Sequence, residues 1–85
     1  MLLEIITPDK KVFQGEVSSA TFPGSEGSFQ VLMNHAPLIS SLTKGPIVYD
    51  ATGSGRAEVT IDGGIVEVLD NKIIVLAEKV IDAEA

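Results

Sequence analysis

The single histidine, His35, stands in the run Met33-Asn34-His35-Ala36-Pro37, with Ser40 and Ser41 just downstream and Asp50 beyond them. Those residue types could supply a nucleophile, its base and an orienting carboxylate if each reached the next by a hydrogen bond. The pattern argues against it. No nucleophile-elbow signature surrounds either serine, and both lie inside the apolar run 38–42. A loop histidine between Asn and Ala-Pro suits a structural or interface role. Metal chemistry has no better footing, because one histidine and scattered carboxylates give no paired-ligand spacing. Asp62-Gly63-Gly64 is a turn signal without the rest of a calcium loop. The glycines at 24 and 27, and at 53 and 55, open no helix, so no helix dipole would stand behind a bound phosphate. We expect no catalytic, metal-binding or cofactor-binding residue.

The elements that would position these residues read as strands throughout. Leu2 to Ile6 is a short apolar strand closed by Thr7-Pro8-Asp9-Lys10. Val12 to Phe22 is a long one interrupted at Gly15, where a bulge or bend is expected. Pro23-Gly24-Ser25-Glu26-Gly27 reads as a tight loop, Ser28 to Leu32 as a strand, and Met33 to Pro37 as a second loop before Leu38 to Leu42. Lys44-Gly45-Pro46 punctuates again ahead of Ile47 to Tyr49. Gly53-Ser54-Gly55 tips a hairpin, and Arg56 to Ile61 returns in clean alternation. Asp62-Gly63-Gly64 turns into Ile65 to Leu69, and Asp70-Asn71 forms a two-residue tip into Lys72 to Glu78. Only 77–85 could be helical, and it is too short to stand alone. The fold class is all-β, a two-layer antiparallel β-sandwich in one domain over residues 1–85.

Composition excludes several functions. Hydrophobic residues make up 45% of the 85, which rules out intrinsic disorder. No apolar run is long enough to span a bilayer as a helix, and the opening residues do not read as a signal or transit peptide. The absence of cysteine removes disulfides and thiolate zinc sites. A net charge of −6 has the wrong sign for a nucleic acid or an anionic lipid surface. One pattern points outward. A sandwich buries one face of each sheet, so its strands should alternate, yet 73–77, 65–66, 68–69 and 47–49 are apolar on both faces. Either these side chains fall at sheet edges and under loops, or another polypeptide covers one outer face.

The run Phe22 to Gly45 resembles the epsilon subunit of the F-type ATP synthase. The likeness lies in Pro-Gly-x-x-Gly at 23–27, the strand after it, and His-Ala-Pro-Leu at 35–38 leading to Lys44-Gly45. Leu3-Glu4-Ile5-Ile6-Thr7-Pro8 with Phe13-Gln14-Gly15 is similar to that family's first hairpin. Ile61 to Val68 followed by Lys72 to Glu78 is similar to its last. The resemblance implies a sandwich of about ten strands with no active site, which clamps the γ subunit and rests on the membrane c ring. It places Glu26, Gly27, Ser28 and Phe29 toward the c ring, and Thr7, His35, Ala36, Pro37 and Ser40 toward γ. A plainer role stands beside each: Pro37 and the glycines set backbone geometry, while Glu26 and Ser28 are solvated turn residues.

The resemblance also implies a peripheral position on the cytoplasmic face of the bacterial inner membrane, without membrane insertion. Longer members of the family continue into two C-terminal helices. Here Ile81-Asp82 looks like the start of that segment, but the arginine expected next is missing. We therefore expect a short form without the helical hairpin and without nucleotide binding, which calorimetry with ATP would check. Two other readings remain: a free-standing protein-binding sandwich, and a lipoyl- or biotinyl-type carrier domain. The carrier reading rests on Lys72 beside the Asp70-Asn71 tip, although the flanking residues of those families are absent.

Overall fold

A computed structural model describes residues 1–84. Seven strands form it: β1 (Leu2–Ile6), β2 (Lys11–Gly24), β3 (Gly27–Leu32), β4 (Leu38–Ala51), β5 (Gly55–Leu69), β6 (Lys72–Ala77) and β7 (Val80–Glu84). Pairing runs β1-β6-β5-β4-β2-β3, and a further β1–β2 pairing closes the first five strands of that path into a ring. The result is the expected all-β, two-layer sandwich with its layers continuous at the sides.

The strands are fewer and longer than anticipated because three of them serve both layers. The first part of β2 pairs with β1 as far as Glu16, and its second part pairs with β3 and β4. Likewise β5 pairs with β7 through residues 58–61 and with β6 through residues 64–69. Bonded to β5 along its whole length, β4 crosses with it. Splitting the three long strands at these crossings turns seven strands into ten segments. All pairings are antiparallel except β1 with β6, which is parallel in the register Leu2↔Lys72 to Ile6↔Leu76.

Two expected interruptions, Lys44-Gly45-Pro46 and Asp62-Gly63-Gly64, lie inside β4 and β5. Around Gly63-Gly64 the ladder to β4 continues, with Lys44 opposite Asp62 and Leu42 opposite Gly64. Gly63 (φ 95°) and Gly64 (φ 152°) let β5 bend without reversing. A Cβ on Gly64 would collide with the Leu76 carbonyl oxygen, so the bend also lets β5 and β6 close up. At the same place Asp62 N–H donates to the Lys79 carbonyl (3.0 Å) and Glu78 N–H to the Gly63 carbonyl (3.1 Å). The chain thus passes from β6 in one layer to β7 in the other across this bend.

Three further expectations are corrected. No register shift sits at Gly15, which stays opposite Leu3; the shifts along β2 lie between Phe13 and Lys11 toward β1, and between Val17 and Ser19 and between Thr21 and Gly24 toward β4. Gly15 instead leaves room for the Phe13 ring, whose nearest carbon would lie 3.0 Å from an added Cβ. Pro23 and Gly24 belong to β2, which leaves Ser25-Glu26 as the only turn residues of that hairpin. Val80–Glu84 is a strand rather than a helix, because the 58–61 edge of β5 is open to receive it; Ala85 lies outside the described residues.

The core is apolar throughout. Phe22, Leu3, Ile5, Ile47, Ile61, Ile73 and five valines are fully buried, and no polar side chain is buried among the described residues. Phe13 packs on Tyr49 with ring centroids 4.5 Å apart, and Phe22 on Phe29 at 5.7 Å. Burial raises the Tyr49 phenol pKa above its ordinary value.

Candidate docking surface

Side chains on a strand alternate between faces, and directly opposed residues share a face. In one layer Leu3, Ile5, Val66, Val68, Ile73, Val75 and Ala77 point inward and are buried. Their neighbours point outward and are apolar too. Across this outer face one row reads Ile6, Leu76, Ile65 and Ser41. The next reads Glu4, Ile74, Glu67 and Ile39, and a third Leu2, Lys72 and Leu69. Exposure is 65% at Ile39, 51% at Leu76, 49% at Leu69 and 43% at Ile65. The doubly apolar strands at 65–69 and 73–77 therefore do not hide both faces under loops.

Two charged side chains on this face, Glu4 and Lys72, are paired, while Glu67 is exposed. Lys11 Nζ lies 3.1 Å from Glu4 Oε2, and Lys72 Nζ lies 3.6 Å from Glu4 Oε1. The hydrogen bond from Lys11, aided by the positive charge of Lys72, holds the Glu4 carboxyl below its ordinary pKa against the opposing effect of desolvation. Lys11 also donates to Gln14 Oε1 at 2.7 Å. Gln14 and Glu16, opposite Glu4 and Leu2, give the apolar area a polar border on its β2 side.

The other outer face is mostly polar, although exposed Leu32 stands on it opposite Ser19. It carries Ser19, Thr21, Gln30, Asp50, Arg56, Glu58 and Thr60 in adjacent register positions. Ser19 Oγ donates to Asp50 Oδ2 at 3.1 Å. A shallow depression of about 280 Å³ is lined there by Ser19, Thr21, Gln30, Val48, Asp50 and Arg56. The apolar triplet 47–49 resolves within this layer: Ile47 and Tyr49 are buried, and Val48 is half-buried between polar neighbours.

The residues assigned by resemblance do not form one patch. Thr7 follows the Ile6–Leu76 end of the apolar face, where its Oγ1 donates to the Lys10 carbonyl at 3.2 Å. His35, Ala36 and Pro37 sit at the opposite end, beyond Leu69 and Leu2, roughly 13 Å along the strands. Ser40 opposes buried Val66, so it lies on the inner side of β4. Its Oγ donates to the Ser41 carbonyl at 3.2 Å, and His35 Nδ1 lies 2.7 Å from the Ala36 carbonyl; no serine hydroxyl contacts the histidine.

Of the second set, Glu26, Gly27 and Ser28 are exposed at the β2–β3 tip. Phe29 opposes Phe22 and packs inward. Ser41 Oγ donates to Ser25 Oγ at 2.9 Å, which ties this tip to the Thr7 end of the apolar face. Lys72 is part of β6 and pairs with Glu4, unlike a lysine presented at a free hairpin tip.

Ile39 and Leu2 were missed as parts of the surface. Leu38-Ile39 and Leu2-Leu3 break alternation in the same way as 65–66, and that was the available signal. Among the described residues no cluster of three or more His, Cys, Asp or Glu side chains could hold a metal ion.

Residues 1–83 match the family model described as the ATP synthase delta/epsilon chain β-sandwich domain. The chain belongs to this family. It is 48% identical over 79 residues to the ATP synthase epsilon chain of Desulfatibacillum aliphaticivorans, covering 92% of this chain and 55% of that one. To the epsilon chain of Chlorobium limicola it is 41% identical over 78 residues, covering 92% and 89%. The chain thus spans little more than half the length of several of its relatives. Its fold matches a chain in the mitochondrial ATP synthase central stalk and c-ring structure of Tetrahymena thermophila. The TM-score there is 0.83 at 23% identity, covering 96% of this chain and 66% of that one. A chain of the Euglena gracilis mitochondrial enzyme gives 0.87 at 22%, covering 95% and 52%.

Proposed function

We propose that this delta/epsilon-type sandwich is a non-catalytic connector in the central stalk of a proton-translocating ATP synthase, joining the γ subunit to the membrane c ring. The observation that carries the reading is the outer apolar face, with Ile39, Ile65, Leu69 and Leu76 open to solvent beside an already filled core. An acidic sandwich gains nothing by showing water four large aliphatic side chains in one layer unless a partner covers them. The resemblance to the epsilon subunit implies γ and the c ring as that partner, and the structures with the same fold are of assemblies described as a central stalk with a c ring and as F1 with a c ring. A stiff two-layer body with closed hydrogen-bonded sides suits the transmission of torque between them. In this role the domain stands on the cytoplasmic face of a bacterial inner membrane, held there through the c ring rather than by lipid.

Leu76→Asp tests the assignment. The position is half exposed, so the isolated variant should melt within a few degrees of the parent. Its affinity for purified γ subunit should fall about 100-fold, as a charge is left desolvated in an apolar contact. A folded variant that binds γ with unchanged affinity would show that this face is not the γ-docking surface.

A further inference from the structure

The 33–37 loop, which carries His35, Ala36 and Pro37, stands at the end of the apolar face without a strand partner of its own. Its shape is set locally by Asn34 in a left-handed conformation (φ 63°) and by His35 N–H donating to the Leu32 carbonyl at 3.1 Å. Its place against the rest of the domain is set by a different residue. Asn34 N–H donates to Asn71 Oδ1 at 2.8 Å across 37 positions of sequence.

Asn71 is the second residue of the β5–β6 tip, and it too is left-handed (φ 62°), as is Asp70 (φ 50°). A two-residue turn of this kind is served at least as well by glycine in the second place. What asparagine adds is a side-chain carbonyl, and here that group is spent on the loop. Its backbone carbonyl meanwhile accepts from Leu2 N–H at 3.2 Å. One residue therefore joins the start of β1, the β5–β6 tip and the His35 loop, all at the Leu2–Lys72–Leu69 end of the apolar face.

We propose that Asn71 is a positioning residue for docking: its side-chain amide holds the 33–37 loop in line with the apolar face, so that loop and face meet the partner as one surface. This rests on the reading of that face as the γ-binding surface. The loop is exposed at Met33, Ala36 and Pro37, and its main-chain bond to the tip is what keeps it from swinging free of Leu69. Ordering it in advance removes a cost that binding would otherwise carry.

Asn71→Gly keeps the left-handed backbone and deletes the acceptor, while Asn71→Asp keeps both. With the intact chain, amide exchange at Asn34 should accelerate about fivefold in the glycine variant and stay near the parent rate in the aspartate variant. Affinity for purified γ subunit should drop about fivefold in N71G and return to within twofold in N71D. An Asn34 amide freed by N71G without any loss of γ affinity would overturn the proposal, as would an Asn34 amide that N71G leaves unchanged. Leu76→Asp, measured alongside, separates the two ideas. If it loses γ while N71G does not, only the positioning role falls; if neither loses γ, the docking assignment falls with it.

Discussion

The two outer faces of this sandwich are built on the same long strands and meet water on opposite terms. Along β5, Glu58 and Thr60 face out of one layer, and Ile65 and Leu69 face out of the other. Along β4 the same change runs from Asp50 and Val48 to Ile39. Both inner faces are equally apolar, so folding alone does not call for the difference. A domain that only needed to be stable would alternate everywhere, as β5 does between Arg56 and Ile61. Departure from alternation concentrated on one side, against only scattered apolar positions such as Leu32 and Val48 on the other, is the mark of a surface made for a neighbour.

The largest expected effect comes from removing the bend that lets one strand serve both faces. Gly64 has φ 152° and lies against the Leu76 carbonyl, so Gly64→Ala must either push β6 away or straighten β5. We expect a loss of roughly 3–5 kcal/mol in denaturant unfolding, combining backbone strain with displaced packing. A variant as stable as the parent would mean that the layers are joined elsewhere and that the bend is incidental.

The next effect compares the faces directly. Thr21→Asp together with Thr60→Asp puts two charges on the polar face, matching Ile65→Asp with Leu76→Asp on the apolar one. In γ-binding titrations the apolar-face pair should cost more than 100-fold, and the polar-face pair less than about threefold. Equal losses from both would erase the functional distinction between the faces, whatever their composition.

Much of this contrast was legible in the sequence, though not its geometry. Non-alternation at 65–66, 68–69 and 73–77 marks the apolar face, because parity within one strand needs no knowledge of its partners. The Asp70-Asn71 tip was equally readable, since few residues accept a left-handed backbone in succession. What escaped was set by pairing at long range. Gly63-Gly64 reads as a turn because glycine reports tolerance of unusual φ, not whether the chain reverses there; continued pairing with β4 decides that it does not. Phe29 and Ser40 were grouped by resemblance with surface residues, but the β2–β3 and β4–β5 registers turn both inward. Thr7 and His35 fall at opposite ends because β1 runs parallel to β6, an alignment no local pattern encodes.

The smallest expected effect concerns the one ion cluster on the apolar face, and it has a definite sign. Lys11 and Lys72 keep the Glu4 carboxyl below its ordinary pKa of 4.5 in the folded chain. The unfolded chain then takes up this proton at a higher pH than the folded one does. Stability from the cluster is therefore fully present above that ordinary value and is lost as pH falls through the lowered folded pKa. Glu4→Gln cannot titrate, so its unfolding midpoint should decline less steeply than the parent's as the solution is taken from pH 6 to pH 3. At neutral pH the variant should be slightly less stable, since both lysines lose their partner, and the two curves should converge in acid. Parallel curves across that range would mean that the lysines leave the Glu4 pKa where it is in the unfolded chain. The paired charges would then only fill space on the face and carry no energetic weight.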